Sequence, residues 1–191
     1  MNYFENLCSG FPNTVNVCGK PFAIYTAWQD WVRFGELVCD RSMHPEELVS
    51  CAMQWFDGPA PEDPAEGLKA LVDFFTMADG KERMAKKGTA TSASRKICFD
   101  YEFDAPFLFS AFWEAYGINL AKDALHWWEF RWLFNGLPED CQLVKRIQIR
   151  ATDTEKIKNK EERRRILQLQ RMIAIPHEIT DEEIGMAFAA L

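Results

Sequence analysis

The 191-residue chain contains no C-x-x-C pair, no Gly-rich phosphate loop, no paired acidic motif and only three histidines. Its six cysteines, Cys8, Cys18, Cys39, Cys51, Cys98 and Cys141, stand singly. That spacing excludes a zinc finger or a disulfide framework, and with no signal-peptide pattern present it points to reduced thiols in a cytosol. No apolar run approaches the roughly 20 residues that a bilayer requires, because charges interrupt every few positions. A soluble, intracellular protein is expected. At this length a chain buries roughly two-thirds or more of its unfolded surface without staples, so one domain over residues 1–191 is expected.

Catalysis finds little to stand on. His126 and Glu129 lie three residues apart, a spacing open to a metal pair or a general base, but zinc needs three or four ligands. The other histidines, His44 and His177, sit beside prolines with no ligand at helical or finger spacing. No nucleophile motif accompanies His126. The expectation is no enzyme, no metal and no cofactor, with His126 hydrogen-bonded to its neighbour.

Charge is present but unevenly placed. The formal net charge is −7, yet residues 79–96 carry six Lys/Arg against two acids and residues 145–171 carry ten against four. The remainder therefore holds −17, a separation that suits self-association or an oppositely charged partner. Lys156, Lys158 and Lys160 with Arg163, Arg164 and Arg165 could contact phosphates, but Glu161 and Glu162 interleave them and the whole chain is acidic. Nucleic acid is not expected.

Periodicity makes the chain mainly α. TVNVCGKPFAIY alternates Val15 and Val17, then Phe22 and Ile24, around Gly19-Lys20, which reads as a small N-terminal β-hairpin. Thr26 with Gln29 forms a capping-box pattern before a first helix. His44-Pro45-Glu46-Glu47 opens a second helix to Phe56, and Asp63-Pro64-Ala65-Glu66 a third to about Ala78, with proline at the first helical position. Residues 80–95, rich in Lys, Ser, Thr and Ala without apolar period, read as a mobile basic loop. ICFDYEF suggests a short extended piece, followed by a helix over Ala105–Tyr116 that Gly117 ends. Pro138 to about Ile149 continues helically. Thr152 with Glu155 is expected to cap a long helix to Ile173, whose basic half projects while Ile166, Leu169 and Ile173 dock. Thr180 with Glu183 caps a last helix.

Between these lies LHWWEFRWLF, residues 125–134, with three tryptophans, two phenylalanines and two leucines in ten positions. On a helix, Leu125, Trp128 and Trp132 share one face and Trp127, Phe130 and Phe134 a second. Asn135-Gly136 reads as the stop, glycine accommodating a left-handed residue. The first face is expected in the core. The second is either packed under another helix of the same chain or covered by a partner; with Arg131 one turn after Trp127 and able to stack on it, it has the composition of a binding hot spot. Trp127, Phe130, Arg131 and Phe134 are thus the candidate partner-binding residues, with Arg163, Arg164 and Arg165 as a second candidate.

The order of motifs carries a likeness. V-x-V-x-G-K at Val15–Lys20 is followed by T-x-W-x-x-W-V-R-F at Thr26–Phe34 and a basic low-complexity loop. F-D-Y-E-F-D-A-P at Phe99–Pro106, A-F-W-E-A-Y-G-I-N-L at Ala111–Leu120 and L-H-W-W-E-F-R-W-L-F-N-G-L at Leu125–Leu137 come next, then I-x-I-R and I-K-N-K-E within Ile147–Glu161. Nearly the whole chain resembles the bacteriophage gene-product-fifteen family of phages and prophages of Gram-positive bacteria. Ala27 departs from the pattern, which would have Asp after Thr26. The resemblance implies a tail assembly chaperone in the host bacterial cytoplasm. It would bind the tape measure protein, keep it soluble and bring the tail tube protein to it, with self-association and without nucleic acid or membrane. A structural tail component retained in the virion, such as a connector or completion protein, is the alternative; a metal-dependent enzyme around His126 is a third.

Overall fold

The computed structural model describes residues 8–40, 42–77 and 97–176. The basic loop expected at 80–95 and the helix expected from Thr180 lie outside them. The described chain is mainly α, with a two-stranded antiparallel hairpin near its N-terminus and seven α-helices. It divides into two compact units. One holds the described residues up to 77 together with 112–137, the other 97–111 with 138–176.

In the first unit, β1 (Thr14–Val17) pairs with β2 (Lys20–Ala23), Val17 opposite Lys20. The turn is therefore Cys18-Gly19, one residue earlier than expected. Both turn residues have positive φ, 51° and 82°, the combination that matches the right-handed twist of a tight hairpin. Asn16 stabilises it by accepting from the Gly19 N–H at 2.9 Å. Val15 and Val17 face the core as the alternation predicts.

Helix α1 (Trp28–Cys39) starts without the expected capping box. Its N-cap is Ala27, and no side chain caps it. The backbone does so in part, through a bridge in which Trp28 N–H donates to Leu125 O at 3.1 Å and Trp127 N–H to Thr26 O at 2.8 Å. Helix α2 (Pro45–Ala52) continues as a 3-10 turn, Met53–Trp55, close to the predicted stop at Phe56. Helix α3 (Pro64–Thr76) begins as expected, with the Asp63 carboxylate accepting from Ala65 and Glu66 N–H. It ends at Met77 in the left-handed conformation.

Helix α4 (Ala105–Tyr116) has its predicted bounds, with Gly117 at φ +68° beyond it, and the division between units falls after Ala111. Residues 97–100 before it have no regular structure and 101–104 form turns, so the expected extended piece is not a strand. Helix α5 (Trp127–Asn135) completes the first unit. Its core gathers Trp31, Phe34, Leu71, Phe74, Phe112, Trp127, Trp128 and Phe130.

The second unit is built on α6 (Gln142–Ala151) and α7 (Lys160–Met172). Pro138 lies in a turn closed by Cys141 N–H to Pro138 O, so α6 starts four residues later than the sequence suggests. The long helix from Thr152 is two pieces. Thr152 is the C-cap of α6, Asp153 caps a 3-10 turn (Thr154–Lys156), and Asn159 caps α7 through Glu161 and Glu162 N–H. Asx and Thr side chains compete locally for backbone donors and acceptors, which interrupts a run whose charge pattern alone would support one helix.

The buried pair of this unit is Asp104 and Arg150. Arg150 donates from Nη1 and Nη2 to both carboxylate oxygens, from Nη1 also to Cys98 O at 3.1 Å, and from Nε to Ile173 O at 2.7 Å. One guanidinium thereby joins the segment before α4, helix α6 and the end of α7.

Candidate partner-binding site

The aromatic run in α5 is placed by its polar atoms as much as by its rings. The last carbonyls of a helix have no partner within it. Here the C-terminal carbonyls of α3 receive the indole N–H groups of α5: Trp128 Nε1 donates to Phe74 O and Trp127 Nε1 to Phe75 O, each at 3.0 Å. Arg131 Nη1 adds a third bond to Phe75 O at 3.0 Å. Adjacent tryptophans thus reach adjacent carbonyls, of which Phe74 O also accepts from Met77 N–H at 3.1 Å.

Ring packing closes the second face. Trp127 stacks on Phe75 with centroids 5.3 Å apart. Phe130 lies between Trp28 at 4.6 Å and Phe112 at 5.2 Å, both nearly parallel to it. Trp127, Trp128 and Phe130 are 2%, 1% and 1% exposed. The expectation that Trp127 and Phe130 present surface while Trp128 is core is therefore corrected: both faces of the helix are packed. Arg131 and Phe134 are half-buried, and Arg131 does stack on Trp127, 5.5 Å from the ring centroid. Helical period revealed two apolar faces but not how many neighbours cover them.

His126 is the N-cap of α5. Its Nδ1 accepts from Trp128 N–H at 3.0 Å and its Nε2 lies 3.0 Å from Pro12 O, so the ring is neutral with the proton on Nε2. Phe11 stacks on it at 5.0 Å. Burial pushes its pKa below the ordinary value, against the opposing influence of the Pro12 carbonyl and Glu129. Both nitrogens are engaged, so the imidazole neither binds a metal nor shuttles a proton in this arrangement. Among the described residues no group of three His, Cys, Asp or Glu could hold a metal, and no helix is long and apolar enough to cross a membrane.

The stop of α5 has a different cause from the one expected. Gly136 has φ −91°, not a left-handed value. A Cβ there would stand 3.1 Å from Tyr116 Oη, which donates to Leu133 O at 2.8 Å. Glycine makes room for the hydroxyl that satisfies the helix terminus.

Arg163, Arg164 and Arg165 are all exposed on α7. Helical geometry places Arg163 and Arg164 with Lys160, Leu167 and Arg171 on the face opposite Leu169. Arg165 falls to the side. Leu167 and Arg171 join this face at seven and eleven residues from Lys160, a spacing present in the sequence but not among the candidate residues above. The surface also exposes Tyr25 and Trp113, the latter 53% exposed.

The family model described as Bacteriophage Gp15 protein matches residues 7–175. The chain belongs to this bacteriophage family. The match spans every element above, from the hairpin to the end of α7, and makes the chain a phage structural or assembly protein. No curated protein and no solved structure matches it. Within this Gp15 protein, then, the aromatic helix is core and the arginine helix is surface.

Proposed function

We propose that this Gp15 protein is a non-catalytic tail assembly chaperone, acting in the host cytoplasm, that binds the tape measure protein and promotes tail tube assembly around it. Membership of the phage family carries the reading. It is supported by the engagement of both nitrogens of His126, which removes the best catalytic candidate, and by outward-facing side chains of the kinds that hold protein partners: Tyr25, Trp113 and the arginines of α7.

Co-expression tests the reading. The chaperone should keep the tape measure protein in the supernatant and co-purify with it, whereas a tape measure that aggregates equally with and without it defeats the proposal. Mass spectrometry of purified virions separates the chaperone from a retained connector or completion protein, since the chaperone is absent from the finished particle.

A further inference from the structure

Helix α7 has two faces with different tasks. Leu169, Ile166 and Ile173 are half-buried on the inner side. Gln170 Nε2 holds the helix to the end of α6, donating to Ile149 O at 2.7 Å and Thr152 O at 2.8 Å. The opposite side carries Lys160, Arg163, Arg164 and Arg171 around Leu167, which is 36% exposed. At 1.5 Å per residue this stripe is about 16 Å long. None of its four cations makes an ion pair with a described residue. The three Arg/Lys of this unit that do, Arg146, Arg150 and Lys156, reach Asp104 or Asp153. By the same geometry Glu162 points away from the stripe, whereas Glu161 flanks it, three residues before Arg164.

The complementary surface is on the other unit. Its described residues include thirteen Asp/Glu against five Lys/Arg, a net −8, while the unit bearing α7 has ten Lys/Arg against nine acids. We infer that the outward stripe of α7 binds the acidic unit of a second copy of this chain, head to tail. Because the two patches differ, each copy keeps one free patch and association continues beyond a dimer unless a reciprocal contact closes the pair about a two-fold axis. Asn159, Gln170 and the Arg150 bond to Ile173 O fix the backbone that carries the stripe, so docking orders only its side chains, and Leu167 adds apolar contact at its centre. A polyanion is the poorer fit, because a leucine occupies the middle of the stripe and the chain as a whole is acidic.

Sedimentation velocity of the full-length protein tests it at about 0.01 M and about 1 M salt, where the Debye length is about 30 Å and about 3 Å. Oligomers at low salt that dissociate at high salt are expected. Arg163→Glu with Arg164→Glu should remain folded by circular dichroism and weaken association by about tenfold or more; Arg163→Gln with Arg164→Gln should weaken it less. Zero-length carbodiimide coupling of mixed light and ¹⁵N-labelled protein should join Lys160 of one copy to carboxylates of the acidic unit of another. A protein monomeric at low salt, an oligomer indifferent to salt or to both variants, or inter-copy links that avoid the acidic unit would each overturn the inference. So would a monomer that binds a labelled oligonucleotide through Arg163 and Arg164.

Discussion

Arg150 grips Asp104 with two parallel hydrogen bonds, Nη1 to Oδ2 at 2.5 Å and Nη2 to Oδ1 at 2.9 Å, and both residues are almost fully withdrawn from water. Removing one partner strands a buried charge, so Asp104→Ala should cost about 3–5 kcal/mol in urea unfolding. Because Arg150 also holds Cys98 O and Ile173 O, an Asp104→Leu, Arg150→Met double variant should recover part of that loss but not all. Full recovery would show that the two carbonyl bonds contribute nothing.

Trp127→Ala and Trp128→Ala should both destabilise by about 3–5 kcal/mol, the range for large aromatic truncations in cores. Each removes a packed ring and one of two hydrogen bonds to a C-terminal carbonyl of α3, leaving Phe75 O to Arg131 and Phe74 O to Met77 N–H. Denaturation midpoints that separate the two, with Trp127→Ala near wild type, would reopen the second face as surface.

Gly136→Ala should be destabilising through Tyr116 rather than through backbone strain. The added methyl meets the hydroxyl at 3.1 Å and must shift it by a few tenths of an ångström, straining its bond to Leu133 O, worth about 1 kcal/mol. In a Tyr116→Phe background the same substitution should be nearly neutral, and a double-mutant cycle reads the coupling directly.

His126 gives stability a pH dependence of predictable sign. Its folded pKa lies below the unfolded value of about 6.5, so the unfolded chain takes up the proton first. Its contribution is complete above about pH 6.5 and is lost as pH falls below that toward the folded pKa. Protonation also places an N–H on Nδ1, where it opposes the Trp128 N–H. His126→Asn, which retains an N-cap acceptor, should flatten the slope of urea midpoint against pH between about 7.5 and 5.5.

Ala27→Asp should stabilise the protein by about 1 kcal/mol. Ala27 is exposed, has the extended backbone of an N-cap and offers no side-chain acceptor to α1. A thermal midpoint unchanged or lowered by the substitution would mean that the bridge to Leu125 and His126 already satisfies that terminus.

Local signals in the sequence determined the helices and their punctuation. Asp63-Pro64 starts α3, Gly117 ends α4, and alternation around Val15 and Val17 makes a strand, because each acts over a few residues of backbone. The same locality failed at Thr152, Pro138 and Ala27, where a neighbouring side chain or a distant backbone bridge outweighed the motif. The outward basic stripe was implicit in the spacing of Lys160, Arg164, Leu167 and Arg171. Only tertiary structure decided that Trp127 and Phe130 are core, because burial depends on what covers a face and periodicity describes the face alone. It likewise decided that the two indoles cap α3, that Gly136 serves Tyr116, and that Asp104 meets Arg150. Each of these joins residues at least seventeen positions apart, and no rule of local spacing reaches so far.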